Sequence, residues 1–138
     1  MRRCAPILPI LCLCLSATPA WAASDRLLDA IEQVESAGNP TAVGDGGKAL
    51  GSFQIHRAFY DDARPSVVRL YGSCPPYEAA VTDRTWARRL ARAWLDRYAA
   101  GASDEVQAKR FNGGLRGERL TATAKYWAKV RAVMEGKP

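Results

Sequence analysis

From Asp83 to Gly101 the chain places Trp86, Leu90, Trp94 and Tyr98 at every fourth position, with arginines, among them Arg84, Arg88, Arg89 and Arg92, on the opposite side. A four-residue repeat keeps one stripe of a helix apolar over more than three turns, so this segment has to be a helix laid on a core. Asp83 is a fitting N-cap, and Gly101 a fitting stop. A chain of 138 residues with 48% hydrophobic and 25% charged residues can bury that stripe within one domain.

The other segments supply helices to pack against it. Ser24 caps a helix from Asp25, with Leu27, Leu28, Ile31 and Val34 at helical spacing and Ala37-Gly38-Asn39-Pro40 as its end. Val43 to Gly51 is punctuated by Gly44, Gly46, Gly47 and Gly51, which suits a loop or short hairpin. Ser52 to Ile55 reads as a short strand or the start of a helix. His56 to Ala63 reads as a short helix that stops before Pro65. Ser103 caps a helix through about Phe111, broken at Asn112-Gly113-Gly114, and Thr121 to Met134 forms the last one. The sum is a mainly α, single helical domain with a small β-hairpin or glycine loop near its start.

The first 22 residues have a different character. Met1-Arg2-Arg3 is basic, Cys4 to Leu15 is apolar apart from its prolines, and Ala20-Trp21-Ala22 is an A-x-A cleavage pattern. We read residues 1–22 as a signal peptide and 23–138 as the working domain, exported to the periplasm or secreted. Removing 22 of the 138 residues leaves 116, and Cys74 becomes the single thiol among the four cysteines of the full chain. No intramolecular disulfide is then possible, and a monomer is expected. Loss of Arg2 and Arg3 takes the net charge from +6 to +4, a mild excess compatible with a polyanionic wall. The arginines facing away from the aromatic stripe suit a solvated face better than a nucleic-acid surface, so no nucleic-acid partner is expected. No second hydrophobic segment follows the leader, so no stable membrane insertion is expected after cleavage. One His and one mature Cys fall short of a zinc set, and no cofactor is expected. Ser52 and His56 lack the oriented third partner that a nucleophilic site requires.

Two carboxylates stand out in the mature chain. At about 100° per residue, with Ile31 at zero, Glu35 falls near +40°, between Leu28 and Leu27 on the apolar face. Glu32 falls near +100°, toward Asp25 and the wetter side. Burial and the negative helix end would both raise the pKa of Glu35, as a general acid near neutrality requires. A glutamate at the stripe's edge reaching solvent is the other reading. Asp45, between Gly44 and Gly46, is either displayed into a cleft or simply a turn residue. A helix-borne acid followed by a loop-borne carboxylate is a pairing that glycosidases use.

Glu35-Ser36-Ala37-Gly38-Asn39-Pro40 and the run from Gly44 to Ile55 resemble the core motif of the lysozyme-like superfamily. The resemblance is nearest to bacterial relatives of invertebrate-type (destabilase-like) lysozymes. Phe59-Tyr60-Asp61-Asp62, Asn112-Gly113-Gly114 and Tyr126-Trp127 follow in the family's order. Gly44 to Gln54 is equally like goose-type lysozyme, and the first half is similar to soluble lytic transglycosylases. The resemblance implies an α+β lysozyme-like fold and a peptidoglycan glycosidase acting on the β-1,4 bond between N-acetylmuramic acid and N-acetylglucosamine. It makes Glu35 the general acid and Asp45 the second carboxylate. Gln54, Tyr60, Asn112, Gly113 and Gly114 would line the sugar cleft, with peptidoglycan glycan strands as the partner. The alternatives are a lytic transglycosylase leaving 1,6-anhydro ends, or a non-catalytic wall-binding protein on the same scaffold. The chain departs from invertebrate-type lysozymes in lacking their cysteines and in having Phe111 where they have His.

Overall fold

The computed structural model describes residues 22–137, and the leader assignment therefore lies almost wholly outside the described residues. Helix α1 (Asp25–Ser36) is followed by a two-stranded antiparallel hairpin, β1 (Val43–Gly44) and β2 (Ala49–Leu50), joined by a 3-10 turn over Asp45–Gly47. Val43 pairs with Leu50 and Gly44 with Ala49. Then come α2 (Arg57–Tyr71), α3 (Tyr77–Thr82), α4 (Arg84–Tyr98), α5 (Asp104–Gly113) and α6 (Ala122–Met134). No helix of the described residues is long and apolar enough to cross a membrane.

Local chemistry starts the helices where the sequence indicates. The Ser24 hydroxyl accepts from the Leu27 N–H, the Asp83 carboxylate from Trp86 and the Ser103 hydroxyl from Val106. Each cap satisfies one of the four N–H groups that a helix start leaves without partners. Helix α1 runs through the centre, packing on α6 and touching α4 and α5, while α2 lies on α4 and α5 on α6. Leu27, Leu28, Ile31, Phe53, Ile55, Val67, Leu90, Leu95 and Val130 form the dry centre of the core.

Two expectations need correction. Pro65 does not stop α2, which continues to Tyr71 and closes on Gly72 in the left-handed region. Ala63, Ser66 and Val67 are buried beside Pro65, and that burial sustains the helix across the missing N–H. Ser52 to Ile55 is neither strand nor helix. It is a tight turn, with Ile55 bridged to Leu50. Gly51 makes this turn possible: its φ is +78°, and a Cβ there would stand 1.7 Å from the Val81 carbonyl oxygen.

The arginine face of α4 is also not simply solvated. Arg84 makes a two-pronged bond to Glu32, Arg88 bridges Asp25 and Asp29, and Arg92 reaches Asp25 and the Ala23 carbonyl. The hydrogen bond from Arg88 and the charge of Arg92 hold the Asp25 carboxyl below its ordinary value. These pairs stitch α4 to α1 along the side opposite the aromatic stripe, where the sequence pattern alone predicts a solvated face.

Candidate active site

The last turn of α1, the hairpin turn, the start of α2 and the end of α5 surround one cleft of about 440 Å³. Glu35, Asp45, Gln54, Asn112 and Gly114 line it together with Ala49, Ile55, His56, Phe59, Trp94 and Phe111. Two residues proposed from sequence lie elsewhere. Tyr60 is a core residue, 3% exposed, whose hydroxyl donates to the Pro75 carbonyl at 2.6 Å. Gly113 faces α6, where a Cβ would come within 2.7 Å of the Thr123 methyl.

Glu35 stands in the last turn of α1, half-buried, and accepts a 2.7 Å hydrogen bond from the Tyr126 hydroxyl of α6. Burial pushes its pKa above the ordinary carboxylate value, and the Tyr126 bond pulls part of the way back. The Tyr126 phenol is itself driven far up, by burial and then by the neighbouring Glu35 charge. The phenol therefore remains a donor throughout the working pH range. In the sequence Tyr126 stands in the last helix and in the Tyr126-Trp127 pair of the family resemblance, with no role at the site. A buried tyrosine needs an acceptor for its hydroxyl, and that requirement was the available signal.

The two glutamates of α1 do not divide as the wheel suggests. Glu32 is the more buried, at 1% exposure, and is committed to Arg84 at 2.7 and 2.9 Å. Burial alone would raise its pKa, but the Arg84 hydrogen bonds and charge outweigh that, so Glu32 is held below the ordinary value. Glu32 is thus a fixed anion inside an ion pair. Glu35 has no cationic partner among the described residues and keeps a proton more readily. The carboxyl that can donate a proton is the one that faces the cleft.

Asp45 opens the hairpin turn with φ +47°, a left-handed conformation that a non-glycine residue holds only under constraint. Its carboxylate, 62% exposed, lies 3.5 Å from Nε2 of His56. His56 is the residue just before α2 and was not singled out as a cleft residue from sequence. Gln54 supports the loop: its φ is +50°, and its amide donates to the carbonyls of Gly51 at 2.9 Å and Ala42 at 3.3 Å. Gly44 leaves room for this amide, because a Cβ there would fall 2.2 Å from Gln54 Oε1 and push it aside. Ser36 ties the end of α1 to the same loop through the Ser52 carbonyl at 2.8 Å. The helix bearing Glu35 and the loop bearing Asp45 are thereby held in one frame.

The opposite wall is aromatic. Phe59 stacks on Trp94 at 5.0 Å, and Phe111 meets Phe59 edge-on at 5.4 Å. Asp62 fixes this wall from behind, accepting from Trp94 Nε1 at 3.1 Å and the Tyr98 hydroxyl at 2.7 Å. A cleft with carboxylates on one side and an aromatic surface on the other suits a polar ring with apolar faces. Chemically, it offers one proton donor, one exposed carboxylate and a shaped groove between them.

No protein-family model matches the chain. A lysozyme of Magallana gigas is 33% identical over 87 residues, which is 59% of this chain and 58% of that protein, so the match spans little more than half of the curated relative. Among solved structures, a chain of the complex between Aeromonas hydrophila PliI and Meretrix lusoria lysozyme is 25% identical, with a TM-score of 0.69 over 84% of this chain and 96% of its own length. Inhibitor-bound lysozyme from Meretrix lusoria is 26% identical, with a TM-score of 0.65 over the same shares. Tapes japonica lysozyme, at 22% identity and a TM-score of 0.68, covers 83% of this chain and 95% of its own and shares the fold. Sequence likeness to one lysozyme and a fold shared with others set this chain in the lysozyme-like superfamily.

Proposed function

We propose that the chain is an exported, monomeric peptidoglycan glycosidase, a muramidase that cleaves the β-1,4 bond between N-acetylmuramic acid and N-acetylglucosamine. The observation that carries this is the state of Glu35: a cleft-facing carboxyl raised by burial, oriented by Tyr126 and standing apart from the cations that hold its neighbour Glu32 ionised. Glu35 protonates the leaving glycosidic oxygen as positive charge develops on the sugar ring. Asp45, on the constrained hairpin turn, supplies the negative charge that faces the developing oxocarbenium ion or directs water to it. Asn112 and Gly114 border the glycan, and Phe59, Trp94 and Phe111 give it an apolar wall.

One feature favours a second outcome of the same cleavage. Asp45 is largely exposed, and its side-chain partner among the described residues is the His56 ring. A lytic transglycosylase needs no second carboxylate, because the substrate's own C6 hydroxyl closes onto C1. Mass spectrometry of muropeptides released from purified sacculi tests the proposal and separates the two chemistries. Reducing ends bearing an added water mean hydrolysis, ends lighter by one water mean anhydro products, and no released muropeptide contradicts the glycosidase assignment.

A further inference from the structure

The Asp45–His56 pair is a partition between two cavities. On one side is the cleft; on the other lies a shallower groove of about 340 Å³ lined by Gly47, Lys48, His56, Arg57, Ala58 and Tyr77. His56 borders both. The hairpin turn presents Asp45 to the cleft, and Lys48, three residues on, to the groove; the Lys48 N–H closes the turn on the Asp45 carbonyl at 3.2 Å. The start of α2 does the same with His56 and Arg57. Charges are sorted across the ridge, with Glu35 and Asp45 lining the cleft and Lys48 and Arg57 lining the groove.

Both groove cations have capacity to spare. Lys48 is exposed and makes no ion pair among the described residues. Arg57 lies over the Tyr77 ring at 5.5 Å, which fixes its guanidinium at the groove wall. Asp61 accepts only from Arg57 Nε, at 3.1 and 3.2 Å, so the two terminal amino groups of this 68% exposed side chain keep no hydrogen-bond partner among the described residues. The Tyr77 hydroxyl is occupied, donating to the Ile55 carbonyl at 2.7 Å, and it locks α3 to the groove floor.

We propose that this groove receives the acidic stem peptide carried by the glycan in the cleft, with Lys48 and Arg57 meeting its carboxylates. The inference rests on the glycosidase reading above and adds a substrate preference to it. Each muramic residue bears a peptide on its lactyl group, and a strand lying between Glu35 and Asp45 has to place that substituent outside the cleft. The ridge at His56 leads directly onto two cations and an aromatic ring. Planar guanidinium and mobile ammonium groups at an exposed surface suit carboxylates whose positions vary along a peptide.

The test compares peptide-bearing glycan strands with the same strands stripped by an amidase, measuring both kcat/KM and dissociation constants. The parent should favour peptide-bearing strands by about twofold to thirtyfold, the range for two exposed charge pairs. The preference should shrink as salt is raised. The double variant Lys48→Gln/Arg57→Gln, checked for folding by circular dichroism, should bring the preference close to one. A parent without preference, or a double variant that retains it, overturns the proposal. If the parent cleaves neither strand, the glycosidase reading fails instead, and the two dissociation constants still decide the groove: equal values overturn it.

Discussion

Replacing Arg84 with alanine should destabilise the protein more than replacing Glu32 with glutamine, although Arg84 is the exposed partner of the pair. Side-chain exposure is 65% for Arg84 and 2% for Glu32. Arg84→Ala strands a buried carboxylate, with Arg88 as the remaining cation of influence, and stranding a buried charge costs about 3–5 kcal/mol. Because water can reach part of this site from the Arg84 side, the lower end, about 3 kcal/mol, is expected. Glu32→Gln frees Arg84 to turn into water and removes the buried charge, so its cost is that of two weakened hydrogen bonds, about 1–2 kcal/mol. The pH dependence separates the two further. In the parent, Glu32 is held below its ordinary value of 4.5, so its contribution is present above that pH and is lost as the pH falls through the folded-state value. In Arg84→Ala burial dominates and the sign reverses: the deficit is full at pH 7 and narrows in acid as Glu32 takes up a proton. Urea unfolding followed by tryptophan fluorescence at pH 7 and near pH 4 measures both effects. An Arg84→Ala cost below that of Glu32→Gln, or one that grows in acid, would refute the account of this pair.

Tyr126→Phe removes the bond that partly offsets the burial of Glu35, so the Glu35 pKa should rise further and the alkaline limb of the kcat/KM profile should move to higher pH; an unmoved or lowered limb counts against the assignment. Gly51→Ala should lower stability by about 1–2 kcal/mol for the left-handed backbone, with about 1–3 kcal/mol more for the overlap with the Val81 carbonyl, read as a fall in the urea midpoint. If residues 1–22 are removed after Ala22, the freed amino group of Ala23 lies 2.9 Å from Asp96 Oδ1 in a site 1% exposed. A chain beginning at Ala23 should then lose stability on N-acetylation, and an Asp96→Asn variant should not, as parallel thermal melts would show.

What the sequence disclosed was local. Ser24, Asp83 and Ser103 announce their helices because a cap is a contact across three residues, and Gly46, Gly47 and Gly51 announce the hairpin because their positive φ angles favour glycine. Glu35 could be placed because the apolar stripe of its own helix points to the core. Glu32 could not, since its burial comes from tertiary packing and the partner that holds its charge, Arg84, lies 52 residues away. The exchange of Tyr60 for Phe59 in the cleft has a similar origin. Adjacent residues on a helix point about 100° apart, and the packing of α2 on α4 fixes its rotation. Pro65 misled for the complementary reason: a local breaker was outweighed by tertiary burial of Ala63 and Val67.

The central claim is that Glu35 delivers the proton that breaks the glycan. Glu35→Gln keeps the size and the contact with Tyr126 while removing that proton, and turbidity loss of a suspension of purified sacculi reads the consequence directly. The account predicts a rate about 10²–10⁴-fold below the parent, with binding to the sacculi and the unfolding midpoint retained. A variant that clears sacculi within a few-fold of the parent rate would contradict it.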